Sequence, residues 1–308
     1  MAETKRKMAR IIHTPVLKKE VIEYLNPKSG EKFIDCTIDG GGHSLAILEK
    51  IGSKGKILGI DQDQELIERL KEEKFEEGLK DNLILVCDNF ENLKRISEEN
   101  KFDAVSGILF DLGMSTWHFK ESGRGFSFQD DEILDMRYDV TKNRGSTIRE
   151  IINKWPEKKI SQILRVYGEE KFSDEIAQEV AKIRRRQPIE TTFQLVSAID
   201  KAVPDWYKRR KIHPATKTFQ ALRIIVNDEL GNLTRALPQA LGILESGGRL
   251  VIISFHSLED KIVKDFFREK GKEGKIKILT KKPVRPQNRE IQENPSCRSA
   301  RLRAAVKI

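Results

Sequence analysis

Short, continuous apolar runs, each closed by an aspartate, recur along the first third of the chain. Phe33-Ile34 leads into Asp35, Ile57 to Ile60 into Asp61, Leu83 to Cys87 into Asp88, and Val105 to Phe110 into Asp111. Runs that lack the alternation of a half-exposed strand are what a parallel sheet covered on both faces requires. The pattern predicts strands over Lys32 to Thr37, Lys56 to Asp61, Asn82 to Asp88 and Phe102 to Asp111. It predicts helices over Ser44 to Ile51, Gln64 to about Glu77 and Phe90 to Glu99, after an amphipathic segment from Lys18 to Leu25 that stops at Asn26-Pro27. The strand-end acids lie 26, 27 and 23 residues apart. One βα unit takes about that length, given the roughly 30 residues of a full βαβ motif.

After Gly113 the rhythm stops. Residues 114–145 read as an irregular loop around Arg124-Gly-Phe-Ser-Phe128, and helical patterns follow. Thr147 and Glu150 have capping-box spacing, Pro156 opens a helix ending near Gly168, Ser173 caps another, and Thr192 begins a fourth. The strand rhythm resumes after a long helix from Thr216 (Phe219, Leu222, Ile225, Val226, Leu230, Leu233) and a short one after Pro238. Gly247 to Ser254 is a fifth strand, Leu258 to about Arg268 a helix, and Lys275 to Thr280 and Leu302 to Ile308 two late strands. The expected organisation is an α/β core in two parts, residues 1–114 and 216–308, interrupted by an all-helical insertion over 115–215.

The stretch from Phe33 to Ser44 carries the chemistry. Gly40, Gly41 and Gly42 remove every β-carbon from the turn after the first strand, so a ligand can approach bare backbone amides. His43 and Ser44 open the following helix, whose N-terminus favours electron-rich groups. A dinucleotide site would show Gly-x-Gly-x-x-Gly with an acid roughly 20 residues on. Here the glycines are contiguous and an acid, Asp35, precedes them. That suits S-adenosylmethionine, which has no pyrophosphate but carries an ammonium, a ribose diol and an adenine amine, each served by a carboxylate or backbone acceptor. In a parallel sheet, ligands bind outside the carboxyl ends of the strands, where all four acids stand. Asp61 suits the ribose, Asp88 the adenine amine, and Phe90 the adenine ring. The fourth strand ends Phe110-Asp-Leu-Gly-Met-Ser115. Methylation at C5 of a pyrimidine needs a cysteine nucleophile, and no cysteine lies near this strand end. An exocyclic amine needs only orientation and a proton acceptor, and Asp111 is the candidate.

Composition narrows the partners. The chain has 308 residues, 38% hydrophobic and 34% charged, with net charge +9 and pI about 9.3. That excess points to a polyanion. No apolar run approaches the roughly 18–20 residues that span a bilayer. The charged N-terminus lacks a signal-peptide apolar segment, so a cytoplasmic protein is expected, with no membrane association. Cys36, Cys87 and Cys297 lie far apart without metal-ligand spacing, which argues against zinc, and no metal is expected.

Longer words then join these features. His13-Thr-Pro-Val-Leu, the glycine turn with His43-Ser44, Asp111-Leu-Gly-Met-Ser115, Arg124-Gly-Phe-Ser-Phe128 and Met136-Arg-Tyr-Asp139 occur in order. Tyr167-Gly-Glu-Glu-Lys-Phe172, His213-Pro-Ala-Thr, Phe219-Gln-Ala-Leu-Arg-Ile, Val226-Asn-Asp-Glu-Leu230, Ile253-Ser-Phe-His-Ser-Leu-Glu-Asp260, Asn294-Pro and Arg298-Ser-Ala follow. With these words the chain resembles, nearly end to end, the bacterial 16S ribosomal RNA cytosine-N4 methyltransferases, the MraW or RsmH family. The resemblance implies a Rossmann-like S-adenosylmethionine-dependent methyltransferase core with an inserted helical domain. It also implies methyl transfer, without a covalent enzyme intermediate, to N4 of a cytidine in the decoding region of 16S rRNA within the small ribosomal subunit. Matching positions imply cofactor contacts from Gly40 to His43 and from Asp61, Phe90 and Asp111. His118 stands where the family usually has a cofactor-contacting Gln, and Ser296-Cys297 replace the usual Arg-Ser before Arg298. Arg124, His213, His256 and Arg298 are the substrate-side candidates, and the basic runs Arg184 to Arg186, Lys208 to Lys211 and Lys281-Lys282 with Arg285 are candidates for phosphate contacts. Two other readings stand beside this one: a non-catalytic RNA-binding protein on a Rossmann-like core, and an amino methyltransferase acting on DNA or a small molecule. Enzymes of the DNA class usually carry (Asp/Asn/Ser)-Pro-Pro-aromatic at the fourth strand, and Asp111-Leu-Gly-Met has neither proline. A monomer and a homodimer are both compatible with the sequence.

Overall fold

The structure is a computed structural model that describes residues 15–72, 80–141 and 146–308. The basic lead, His13-Thr14 and the expected end of the second crossover helix near Glu77 lie outside the described residues. The chain divides into two compact units, residues 1–115 with 230–308, and residues 116–229.

The first unit opens with α1 (Lys18–Leu25), then alternates β1 (Lys32–Asp35), α2 (Gly42–Ile51), β2 (Lys56–Asp61), α3 (Gln64–Glu72), β3 (Leu83–Cys87), α4 (Leu93–Glu99) and β4 (Val105–Asp111). The second unit holds α5 (Thr116–Lys120), α6 (Ile148–Lys154), α7 (Glu157–Gly168), α8 (Ser173–Arg184), α9 (Thr192–Ala202), α10 (Asp205–Lys208) and α11 (Ala215–Asn227). The chain returns through α12 (Glu229–Ile243), β5 (Leu244–Ser254), α13 (Ser257–Lys272), β6 (Ile276–Ile278), α14 (Asn288–Glu293) and β7 (Arg301–Lys307).

The seven strands form one sheet in the order β3-β2-β1-β4-β5-β7-β6. The first five are parallel, and β7 runs antiparallel to both β5 and β6. This is the α/β, Rossmann-like architecture that the apolar runs predict. Alternate strand residues feed opposite faces. Ile34, Ile108, Phe110, Leu250 and Ile252 join Leu93, Leu233, Leu237 and Val263 on one side. Phe33, Leu109, Val251 and Ile253 join Val21, Leu25, Ile47 and Leu48 on the other. Each such fully buried side chain contributes about 1.5–3 kcal/mol. The order of strands reverses between β1 and β4, and the ends of these two strands carry Asp35 and Asp111. A crevice at that reversal is where open α/β sheets bind ligands.

Several expectations are corrected. The helix from Thr216 does not run on to Leu233, because Asp228 adopts φ 47°, a left-handed conformation that ends α11 and starts α12 afresh. Consequently α11 packs on α7 within the second unit, and the return to the core falls after Glu229 rather than at 216. Pro238 does not begin a helix; it sits inside α12. The loop after Gly113 contains one short helix, α5, that its composition hides. No helix among the described residues is long and apolar enough to cross a membrane.

In the second unit the expected capping box at Thr147 is present. Glu150 N–H donates to Thr147 Oγ1 at 3.2 Å, and Thr147 N–H donates to Glu150 Oε2 at 3.1 Å. Thr147→Ala is expected to destabilise this unit by about 1 kcal/mol, read as a lowered urea midpoint. An unchanged midpoint would show that the tertiary contacts of α6 make its cap redundant.

Candidate active site

Asp35 ends β1 and is 1% exposed. Ser44 Oγ donates to its Oδ2 at 2.7 Å, and Thr37 N–H donates to its Oδ1 at 3.3 Å. Burial dominates and pushes its pKa up to about 6, against the pull of His43 and the Ser44 hydrogen bond. The turn that follows closes at Gly41, whose N–H donates to the Ile38 carbonyl at 2.8 Å. Gly41 has φ 74°, and a β-carbon there would lie 3.4 Å from Leu70 Cδ2. The left-handed backbone is therefore the reason for glycine at this position. Gly41 is also the N-cap of α2, and no side chain caps that helix. Its first-turn amides are placed to receive an anionic group.

His43, one residue into α2, meets the end of β4. Its Nε2 lies 3.4 Å from Asp111 Oδ2, with the two side chains 7% and 12% exposed. Neither ring nitrogen of His43, nor Asp111 Oδ1, makes a hydrogen bond. Leaving a buried polar atom unsatisfied costs about 1–3 kcal/mol, so three together point to a ligand that completes them. Asp111 N–H donates to Thr37 Oγ1 at 2.7 Å, which fastens the end of β4 to the loop after β1. Sequence reasoning missed Thr37; a hydroxyl two residues beyond a strand-end acid was the available signal.

The other two acids hold loops. Asp61 accepts from Asp39 N–H at 3.2 Å through Oδ2 and from Asp63 N–H at 2.9 Å through Oδ1. Asp88 N–H donates to the Asp61 carbonyl at 2.9 Å, so the ends of β2 and β3 are neighbours. The Asp88 carboxylate accepts from Asn89 N–H at 2.7 Å and Asn92 Nδ2 at 3.0 Å, and it pairs with Arg95. Phe90 follows, its ring 5.5 Å from Phe110 at an edge-to-face angle of 85°. Gly40, Gly41, Gly42, His43, Asp35, Asp61, Asp88, Phe90 and Asp111 thus all stand at the carboxyl end of the parallel strands. Cys36 comes directly after Asp35, its N–H donating to the Leu109 carbonyl at 2.9 Å. Its thiol belongs to the apolar layer, and burial, then Asp35, pushes its pKa well above the usual thiol value. It stays protonated and is no nucleophile.

The substrate-side candidates are divided between the two units. In the first unit His256 is the N-cap of α13: its Nδ1 accepts from Glu259 N–H at 3.3 Å, while Glu259 Oε2 accepts from Phe255 N–H at 2.8 Å. Its Nε2 lies 3.1 Å from Glu259 Oε1, poorly aligned for a hydrogen bond. Arg298 is exposed in the turn Pro295–Ser299. In the second unit His118, the cofactor-side candidate, is buried, with its ring 5.1 Å from Phe126 and 4.9 Å from Tyr138. Arg124 is turned inward, its Nη1 donating to the Tyr138 carbonyl at 2.9 Å, so it braces its own loop. His213 is exposed and stacks on Phe128 at 4.7 Å.

The first-unit cluster offers two kinds of chemistry. Buried or half-buried carboxylates, a helix with no side-chain cap and a glycine turn have the donors and acceptors to suit a ligand with an ammonium, a carboxylate and a diol. The His43–Asp111 pair presents an acceptor beside it. Residues 10–308 match the MraW methylase family. The chain is 42% identical over 311 residues to a protein of Symbiobacterium thermophilum named ribosomal RNA small subunit methyltransferase H, covering 96% of each. Proteins of the same name from Clostridium botulinum (strain 657) and Heliobacterium mobile are 45% and 43% identical, each over 96% of this chain and 99% of its own length.

Proposed function

The chain belongs to the MraW methylase family, and on that premise we propose that it methylates the exocyclic N4 amine of a cytidine in the decoding region of 16S rRNA, using S-adenosylmethionine. The observation that carries this reading is the buried, incompletely bonded His43–Asp111 pair beside the glycine turn, where the strand order reverses. When bound, the cofactor supplies a methyl group made electrophilic by a sulfonium. Asp35 receives the ammonium, and the first turn of α2 receives the carboxylate. Asp61 receives the ribose hydroxyls, with Asp88 and Phe90 beyond it on the adenine side. Asp111 Oδ1 would accept an N–H of the cytosine amine, orient its lone pair, and take the proton that N4 loses as the N–CH3 bond forms and the S–CH3 bond breaks, its electron pair leaving on the thioether of S-adenosylhomocysteine. His43 beside Oδ2 stabilises the charged carboxylate. No covalent enzyme intermediate is needed, in keeping with the buried, protonated Cys36. The helical unit and the exposed basic runs hold the RNA of the small ribosomal subunit in the cytoplasm.

The test is methyl transfer from labelled cofactor to small subunits that lack the modification, followed by digestion to nucleosides. Label in N4-methylcytidine is the expected result; label only in 5-methylcytidine, or none with a preparation that binds the cofactor, would refute the assignment.

The raised pKa of Asp35 sets a pH dependence. In the free protein the folded pKa lies above the ordinary carboxylate value of 3.8, at about 6. Its contribution to stability is therefore largest at low pH and is lost as pH rises through that interval. Cofactor binding has the opposite sign, because the ammonium needs the carboxylate charged. Affinity is expected to be highest between about pH 7 and the pKa of the ammonium, and to fall up to roughly tenfold per unit below pH 6. Methylthioadenosine, which lacks the amino-acid group, should show no such dependence by calorimetry. Parallel curves for the two ligands would remove Asp35 from the ammonium site.

A further inference from the structure

One aromatic cluster in residues 116–229 is not used in the proposed methyl transfer, and it includes Glu170, Lys171 and Phe172 of the word Tyr167 to Phe172. Trp206, in α10, is 53% exposed. An indole this open is unusual for so large an apolar group and marks a contact surface. It is held rigidly all the same. Phe172 meets it at 5.8 Å and 61°, and Tyr207 at 5.7 Å and 88°. Phe172 and Tyr207 touch each other at 4.9 Å. Tyr207 is buried, and its hydroxyl lies 2.9 Å from both carboxylate oxygens of Glu170, itself 2% exposed. Phe172 N–H donates to the same carboxylate at 3.0 Å. Burial, then Glu170, pushes the Tyr207 pKa up to about 12, so the phenol remains a donor and the brace is independent of pH in the working range.

One cation faces the open ring, and others follow close in the chain. Lys171 Nζ lies 5.1 Å from the Trp206 centroid and 5.6 Å from that of Phe172. The Arg210 guanidinium lies 4.9 Å from the Tyr207 ring. Arg209, Arg210 and Lys211 are exposed immediately after the helix, while Lys208 is paired with Asp205. An apolar protein surface would have to strip water from these charges. An unpaired nucleotide offers a π-face for the indole and a phosphate for the cations, and needs neither group to be buried alone.

We infer that Trp206 is a stacking platform for an unpaired base of the RNA substrate, with Lys171 and the run from Arg209 to Lys211 holding the flanking phosphates. This rests on the reading of the chain as an RNA methylase. Trp206→Ala and Trp206→Phe separate stacking from simple bulk. With a single-stranded oligoribonucleotide as probe, Trp206→Ala is expected to weaken binding by roughly 5- to 100-fold, and Trp206→Phe to recover most of the loss. The same loss should appear as a raised KM for small subunits, with affinity for the cofactor unchanged. Tryptophan fluorescence of the wild-type protein should be quenched by the oligoribonucleotide, and Trp206→Phe should abolish that part of the quenching. Equal binding and equal quenching in all three proteins would overturn the inference. So would a loss confined to intact subunits with the free oligoribonucleotide unaffected, since the surface would then face a protein. If the wild-type protein transfers no methyl group to RNA, the reaction assigned above fails, while the fluorescence titration still decides whether Trp206 stacks.

Discussion

Asp111→Asn is expected to lower the rate of methyl transfer by roughly 10²- to 10⁴-fold, the usual worth of a positioned general base. The amide keeps the shape of the side chain but cannot take a proton. It can also turn an NH₂ toward the incoming amine, which then meets a donor instead of an acceptor. The fold should survive, because the backbone N–H of Asp111 that ties β4 to Thr37 is untouched. Cofactor affinity should change far less than rate, since Asp35 and Asp61 remain. The measurement is single-turnover transfer from labelled cofactor to unmodified subunits, beside a calorimetric titration of the cofactor. A variant that keeps wild-type turnover would strip Asp111 of its role as acceptor. His43, 3.4 Å from Oδ2, would then be the nearest group left to take the proton.

Asp61→Ala is expected to raise the dissociation constant of the cofactor by at least roughly 10²-fold. Two hydrogen bonds from a ribose diol to a carboxylate, at about 1.5–3 kcal/mol each, set that scale. The substitution also frees Asp39 N–H and Asp63 N–H, both of which the carboxylate now holds. Asp39 sits at φ 45°, so the loop between β1 and the glycine turn loses support for a strained residue. Adenine alone lacks the diol, and its weak binding should be indifferent to the change. Equal losses for adenine and for S-adenosylhomocysteine would mean that the loop had collapsed and that the diol was not the group removed.

Much of the core was legible because strand burial imposes a simple pattern. Runs such as Ile57 to Ile60 are buried on both faces, so no polar alternation interrupts them, and the acid after each run marks where chain leaves sheet. The four ends therefore stood out in sequence, and the structure places them on one rim. Strand order did not stand out. Nothing in Leu302 to Val306 says that this strand lies between β5 and β6, since an antiparallel insertion depends on which edge remains open after five parallel strands have assembled. The break at Asp228 was equally hidden. Phe219, Leu222, Leu230 and Leu233 keep a helical period across it, and only a left-handed residue without glycine's usual signature divides α11 from α12. At the candidate site, residue types with strong chemistry stood out in sequence, whereas the groups that support them did not. Thr37, Asn92 and Arg95 act through hydrogen bonds across loops, which no spacing rule exposes. Arg124 illustrates the reverse: a charged residue in a glycine-rich loop reads as a ligand contact, yet its guanidinium satisfies carbonyls of its own loop.

The rim formed by Asp35, Asp61 and Asp111 around the glycine turn is expected to be the cofactor site. A crystal structure with S-adenosylhomocysteine bound tests it most directly. The expected result is ribose hydroxyls within hydrogen-bond reach of Asp61, the ammonium against Asp35, and the sulfur facing the His43–Asp111 pair. A ligand bound with Asp61 and Asp111 both out of its reach would place the cofactor site elsewhere.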